Sequence, residues 1–599
     1  MDDKIHAMRH SAAHVLAAAI QQLYPEAQFG VGPVIENGFY YDVKLAETLS
    51  DKDLKRVESV MRGKIKANIP MEREDLPIEQ AISYFEEHNQ PYKVELLKDL
   101  QQHGTTKLKD FKAEDLGAEQ ADDKITTISV YKTGDFVDLC KGPHVAHTGE
   151  IGVIKLTKLA GAYWRGDEKR DQLQRIYGLA FETQEDLDLH LERVQLALER
   201  DHRKLGQELD LFVFSSLVGS GLPLFTPRGT VLREELNRYS QELRQAHGFE
   251  KVWIPHITKT DLYKASGHWD KFGDELLLVT SQETHDEFVL KPMNCPHHQQ
   301  IFAGRPRSYR DLPIKYLETT TVYRDEKSGE LNGLSRVRSI TQDDSHIFCR
   351  PDQIKQELLV LTKITQKFYA AMGMKLRARI SLRDDSPGYL GDPGVWEYAE
   401  KVLKEVAEEA QLEWYEGPGE AAFYGPKIDF MATDALGREH QLATPQLDFV
   451  QPDRFGLSYT DSDGSDKTPV MIHFALLGSI ERFLSVYIEH TGGIFPVWLA
   501  PEQVRVLPIS EKVADYADEV LAKLVESGIR AKQDASAESL GKRIRAAELM
   551  KVPYTLVVGE REAADQAVAV RRFGEGDIGV QSLDEFVAKI TTETQQRSA

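Results

Sequence analysis

YRDEKSGELNGLSRVR, residues 323–338, places Arg324 two positions before Glu326 and then runs through a glycine-containing turn to Arg336 and Arg338. Read as a hairpin, it gathers several guanidinium forks, and such forks hold phosphate oxygens in a bidentate way. A salt-bridged hairpin would use the same residues, so the stretch alone leaves both readings open. Downstream, GSIERF (478–483) adds Arg482, and upstream FEKVWIPHI (249–257) reads as a strand that stops at Pro255.

A second stretch, KPMNCPHH (291–298), holds one of only three cysteines in 599 residues, with no CxxC to pair it. Cys295 is therefore either an ordinary core residue or a ligand whose partners lie far away in sequence. Three cysteines cannot build a disulfide scaffold, and MDDKIHAMRH lacks the apolar core of a secretory signal, so the cytoplasm is the expected compartment. With 41% hydrophobic and 28% charged residues and no apolar run long enough for a bilayer, the composition is that of a soluble multidomain protein with no membrane partner. The net charge of −22 argues against a nonspecific coat for nucleic acid but says little about a local basic face, and it does not exclude an RNA partner.

TQEDLDLHLERVQLALERDHRKLG (183–206) opens with a capping pattern at Thr183 and Asp186 and repeats apolar residues at helical spacing, which predicts a linker helix. Around it the expected domains are 1–182, a helix over 183–204, 205–499 and 500–599. The last hundred residues alternate strand and helix signals, as in VRVLPI, VADYADEVLAKLVESG and PYTLVVG, which predicts a small α/β domain. DSDGSD (461–466) reads as a solvated turn.

Together with FEKVWIPHI and GSIERF, the hairpin resembles the three signature motifs of class II aminoacyl-tRNA synthetases. The runs KPMNCP, SYRDLP, TQDDSHIFC, FYGPKIDF, QLDF, VMIH, GSIERF and WLAPEQV are similar to those of threonyl-tRNA synthetases, and the resemblance extends from about residue 6 to about residue 590. It implies an α+β multidomain protein: a class II catalytic core built on an antiparallel sheet, an N-terminal α/β editing domain and a C-terminal α/β anticodon-binding domain. The implied activity joins L-threonine to the 3′ end of tRNA(Thr) through threonyl-adenylate, with ATP and Mg²⁺, and hydrolyses seryl-tRNA(Thr) in a separate site. A homodimer is implied as well, because the first motif usually forms the dimer interface.

By this resemblance Cys295, His346 and His473 would hold one catalytic Zn²⁺ per subunit, the second and third lying 51 and 178 residues beyond the first. Three protein ligands leave a position open for substrate. Such a metal suits the selection of threonine, because an apolar pocket separates threonine from valine poorly, whereas a site that must bind a hydroxyl rejects valine strongly. Asp344, with Gln342 and Tyr424 nearby, would take the threonine hydroxyl or amino group. Arg324 would sit on the α-phosphate and the threonine carboxylate, Glu326 would read the adenine amino group, and Arg336 and Arg482 would contact the outer phosphate, with Arg482 also over the adenine. Gln441 and Thr444 would hold the ribose and adenosine, and His268 would assist transfer to tRNA. Serine carries the same amino and hydroxyl groups as threonine, so a second sieve is implied.

HSAAH (10–14) puts His10 and His14 one turn apart, and DLCKGPH (138–144) supplies Asp138, Cys140 and His144. This set could be a zinc cluster, as in the homologous domain of alanyl-tRNA synthetases. In threonyl enzymes it resembles a metal-free editing site, with His10 as base or water positioner and Lys93 as an editing lysine. In the last domain Glu562 and Arg571 fall where the family reads the anticodon, and Lys542, Arg543, Arg545 and Lys551 supply positive charge for phosphates. Several positions depart from the family. Its small N-terminal domain is expected to be absent, Ile340 replaces a phenylalanine that stacks on adenine, His297 replaces a glycine, Phe474 replaces an arginine and Ala537 replaces an asparagine.

Overall fold

The computed structural model describes residues 3–103, 119–121, 124–386 and 388–598. The chain divides into two compact units, Met1–Gln195 and Leu196–Ala599. In the first, the helix Asp3–Leu23 buries an alanine-rich face, Ala12, Ala13, Ala17 and Ala19, small enough to lie close against the strands Gly38–Lys44 and Gln172–Phe181. Those strands belong to an antiparallel sheet completed by Val153–Tyr163 and the short Gln28–Phe29 and Val34–Ile35. A smaller antiparallel sheet pairs Met71–Pro77 and Phe136–Leu139 with Lys124–Thr133.

The second unit is built on a sheet of eight strands among the described residues, in the order Glu250–Lys251, Ile314–Tyr323, Ser339–Cys349, Val470–Ser479, Glu439–Asp448, Lys427–Thr433, Lys375–Leu382 and Trp414–Pro418. It is antiparallel except for the pair at each edge. One face carries the main core. Helices Pro227–Gln245 and Ile354–Ala371 pack there on Ile347, Ile472, Phe474 and Leu476. A buried ion pair ties helix to sheet: Arg244 lies 3.5 Å from Asp343, whose carboxylate also accepts the Ser240 hydroxyl and the Leu477 N–H.

Because successive strand residues face opposite ways, the strand Ser339–Cys349 presents Asp343, Ser345 and Ile347 to this core and Gln342, Asp344 and His346 to the other face. The C-terminal region has its own sheet, in the order Ala531–Gln533, Val504–Pro508, Tyr554–Val558, Ala567–Arg572 and Gly576–Ser582, covered by Ala514–Glu526, Leu540–Leu549 and Leu583–Gln596.

The expected α+β architecture is thus observed, and the sequence reading needs three local corrections. Within FEKVWIPHI only Glu250–Lys251 joins the ladder; Ile254 donates its N–H to the Glu318 carboxylate, and Pro255 has none to give. The stretch 183–206 is two helices, Gln184–Glu199 and His202–Glu208, broken where the Asp201 carboxylate caps the second by accepting the Arg203 N–H. Of the basic residues around 542–551, Arg543 is buried against the Asp534 carbonyl and Lys551 reaches the Gly492 carbonyl, so Lys542 and Arg545 are what remains of the expected basic face. No helix among the described residues is long and apolar enough to cross a membrane.

Candidate functional site

Strand parity and register assemble the site. His346 lies directly across from His473, Asp344 across from Ala475, and Gln446 across from His473 on the other side. The helix Cys295–Ala303 begins at the same place, so the sulfur and imidazole donor atoms of Cys295, His346 and His473 all lie within 4.8 Å of one another, in a buried setting. Each imidazole is oriented from behind. His473 donates from Nε2 to Asp448 at 2.8 Å, leaving its Nδ1 lone pair toward His346 Nε2, 3.1 Å away. The Nδ1 of His346 lies 2.7 Å from Nδ1 of His298.

With His346 donating to His298, two lone pairs face each other beside a thiol, an arrangement that a cation relieves. Burial pushes the Cys295 thiol well up and keeps His346 neutral, so the ring is already a ligand while the sulfur needs a cation in order to ionise. The donor set fits a soft divalent ion with an open position.

Beside these three, the Asn294 amide donates to Asp344 at 3.0 Å and to Gln342 at 3.3 Å, and Tyr424 donates to Gln446 at 3.1 Å with its ring centroid 5.4 Å from that of His473. Burial raises the pKa of Asp344. A neighbouring cavity of about 760 Å³ is lined by Arg324, Glu326, Arg336, Ile340, Gln342, Gln441 and Arg482, seven residues that span over 150 positions of sequence. Arg336 spans Glu326 and Glu330, at 2.7 and 2.6 Å, whereas Arg324 has no carboxylate within ion-pair distance among the described residues. Its guanidinium lies 4.9 Å from the Phe272 ring centroid and 3.5 Å from the Met293 sulfur.

Gln441 and Thr444 both donate to Asp429, a buried carboxylate that also binds Lys427 and Arg379; Thr444 is directed there and does not line the cavity. His268 is 2% exposed, with Nδ1 2.8 Å from the Ser266 hydroxyl; burial and then His473 lower its pKa to about 4, so it is a neutral base.

The first unit has a pocket of its own, about 420 Å³, lined by His10, His14, Lys93, Asp138 and Cys140 among others. At its base Lys93 and the Tyr41 hydroxyl both bind Asp138, and Lys93 reaches the same hydroxyl at 3.2 Å. The Cys140 sulfur lies 3.3 Å from His10 Nε2, 3.2 Å from His144 Nε2 and 3.2 Å from the Gly142 N–H. Burial, then neighbouring imidazoles, holds His14 and His144 well below the usual histidine range. All four donor atoms of His10, His14, Cys140 and His144 fall within 4.8 Å, so this set too could close on a metal.

Three sequence families match the chain: the class II core domain of tRNA synthetases (G, H, P, S and T) over 278–491, an anticodon-binding domain over 503–593, and the second additional domain of threonyl and alanyl tRNA synthetases over 128–177. A curated threonine–tRNA ligase of Thermus thermophilus is 47% identical over 98% of this chain and 88% of its own length. That of Gloeobacter violaceus is 46% identical over 100% and 93%. The chain belongs to the threonyl-tRNA synthetase family.

A crystal structure described as the RNA-binding domain of the Cryptosporidium parvum threonyl-tRNA synthetase aligns with 66% of this chain and 98% of that one, at a TM-score of 0.63 and 39% identity. Within this threonyl-tRNA synthetase family member, the departures differ in whether they reach the site. Phe474, next in sequence to His473, points into the main core and does not touch the site. His297 is buried but lies outside the three-donor group, with a pKa lowered to about 4 by burial and then Lys291; the histidine that backs the group is His298. Ile340 does line the nucleotide-sized cavity together with Arg482, and Ala537 is exposed.

Arg571 sits on the strand Ala567–Arg572, 4.0 Å from Glu548, and Glu562 accepts the Gly559 N–H at the start of its helix. Sequence reasoning gave no role to Asn294, Gln446, Asp448 and Tyr41, and offered His298, with His297, only as a residue behind the metal ligands or on the surface. Asn294 and His298 lie in the same KPMNCPHH run as Cys295, and Asp448 lies in QLDF, so proximity to quoted motifs was the available signal. Tyr41 lies in no such motif.

Proposed function

We propose that this chain activates L-threonine with Mg²⁺-bound ATP, transfers it to tRNA(Thr), and clears seryl-tRNA(Thr) in the pocket of its first unit. The observation that carries the reading is the Cys295, His346 and His473 group set beside Asp344 and next to the cavity that holds Arg324 and Arg482. A zinc ion held by those three would offer its open position to the amino and hydroxyl groups of threonine. Asp344, fixed by Asn294, takes the polar end of the same amino acid. Arg324 and Arg482 bind the α- and γ-phosphates and balance charge as the carboxylate attacks. Ile340 and Arg482 sandwich the adenine, and Glu326 reads its amino group once Arg336 exchanges Glu326 for phosphate. His268, neutral and buried, is placed to accept a proton in transfer.

In the first unit, Lys93 with Asp138 and Tyr41 orders the pocket floor, and His10 positions water without metal. The proposed division is editing over 1–182, a linker over 183–204, catalysis over 205–499 and anticodon binding, through Glu562 and Arg571, over 500–599. The proposed protein is cytoplasmic and a homodimer; the 77% exposure of Trp253, in the first motif, leaves apolar surface there that a second copy would cover.

Pyrophosphate exchange with purified protein tests the central reading. Threonine supports it, valine falls lower by about 10⁴, and serine is weaker by only about 10- to 200-fold. No exchange with any of the three sinks it. For the second site, His10→Ala is expected to slow seryl-tRNA(Thr) hydrolysis by about 10²–10⁴ while threonine-dependent exchange holds. Unchanged hydrolysis would move the editing chemistry elsewhere.

A further inference from the structure

One wall of the nucleotide-sized cavity is made by residues that the proposed chemistry leaves unused, His202, Arg438 and Glu489. His202 opens the helix His202–Glu208 and is 4% exposed. Its backbone N–H and its Nδ1 both meet one oxygen of Glu489, at 3.2 and 2.7 Å. The other oxygen of Glu489 accepts Arg438 at 2.6 Å, and Arg438 also pairs with Asp434. On its far edge, Nε2 of His202 accepts the backbone N–H of Leu334 at 3.1 Å. These partners set the tautomer: the proton is on Nδ1 and the lone pair on Nε2.

The ring thus joins two pieces of the cavity. Glu489 belongs to the helix Ile480–Thr491, whose first turn carries Arg482, and Leu334 lies near the tip of the segment 324–338 that carries Glu326 and Arg336. The fit at the tip is close, because a Cβ on Gly333, whose φ is +50°, would come within 2.2 Å of His202 Nε2. Other hydrogen bonds of the tip are internal, from Ser335 N–H and Arg336 N–H to the Asn332 carbonyl, while the Leu334 side chain is buried in the main core.

We propose that His202, braced by Glu489, is a positioning residue for the nucleotide: it latches the tip of the 324–338 segment to the helix behind Arg482, so that Glu326 and Arg336 are held where ATP needs them. This rests on the ATP site proposed above. It touches neither the metal group nor the amino-acid pocket, so its effect falls on one substrate.

The test is threonine-dependent pyrophosphate exchange with each substrate varied in turn. His202→Ala leaves a buried N–H unmet and frees the tip, which raises KM for ATP by about 10- to 100-fold. KM for threonine and bound zinc stay within about twofold of wild type. His202→Gln, whose amide can still accept from Leu334 and donate to Glu489, recovers most of the loss. Gly333→Ala, which forces a methyl against the ring, repeats it. Glu489→Ala adds little to His202→Ala, since the two act as one latch. An unchanged KM for ATP in folded His202→Ala overturns the proposal, as does an equal rise for both substrates or a failure of glutamine to rescue. If wild type shows no exchange, the activity reading falls, and calorimetric ATP binding to wild type and His202→Ala decides the latch. A wild type that binds no ATP overturns both.

Discussion

Arg324→Ala is expected to lower kcat/KM for pyrophosphate exchange by about 10³–10⁵, the range seen when a guanidinium that meets transition-state phosphate charge is removed. The reason lies in what Arg324 lacks. Arg336 already spans two carboxylates, but Arg324 is held against Phe272 and Met293 with no acid at ion-pair distance among the described residues. Burial lowers its pKa, opposed by Glu275 and Glu326, yet a guanidinium keeps its proton and so carries an under-compensated charge facing the cavity. Such a group is organised for an anion before the anion arrives, and its attraction is little screened. Arg324→Lys keeps the charge but not the fork and recovers only a small part. Arg336→Ala is expected to be milder, about 10- to 100-fold, because wild type must first break the pairs with Glu326 and Glu330 to use that residue. An Arg324→Ala protein within tenfold of wild type would remove Arg324 from the reacting centre.

The second large effect is expected at Cys295. Cys295→Ala should lose bound zinc, from about one per chain to near zero, and threonine activation should fall with it by about 10³ or more, since the element that recognises the hydroxyl is gone. Two imidazoles with facing nitrogens 3.1 Å apart remain, and they make a weak site without the thiolate. Cys295 also packs in a small apolar cluster with Phe302, Tyr316 and Phe348, so the alanine variant carries a cavity cost. Cys349→Ala controls for that, because this cysteine is equally buried but sits in the main core on the other sheet face. Metal analysis and exchange on both variants separate the causes: zinc and activity vanish together only at Cys295. Retained zinc in Cys295→Ala would place the ion elsewhere.

Local signals carried much of the fold. The one-turn spacing of His10 and His14, the capping pattern at Thr183, and the strand and helix alternation after residue 500 all lie within short windows, where periodicity and caps act. The site was less legible from chemistry alone. Nothing near Cys295 shows that His346 and His473 will come to face each other, because strand register joins residues 127 apart; the resemblance to a known family supplied that pairing. Tertiary context also overrode local signals. The strand promised by FEKVWIPHI loses its ladder once Ile254 turns to a side-chain acceptor, and Arg543, expected on a basic face, is drawn in to a backbone carbonyl. Asn294, Gln446 and Asp448 orient other side chains through hydrogen bonds, which spacing in sequence does not reveal.

The alternation of the two central strands has a wider consequence. Even-numbered positions from 342 to 346 and odd-numbered ones around 473 face the reacting groups, while their immediate neighbours serve the core. Chemistry and packing are therefore written on interleaved letters of the same short words, and each can drift without disturbing the other. A large aromatic at 474, one bond from a donor histidine, is a change in the packing alphabet alone. Insertion of one residue would exchange the two alphabets, so such strands tolerate a change of core letter far better than any change in length.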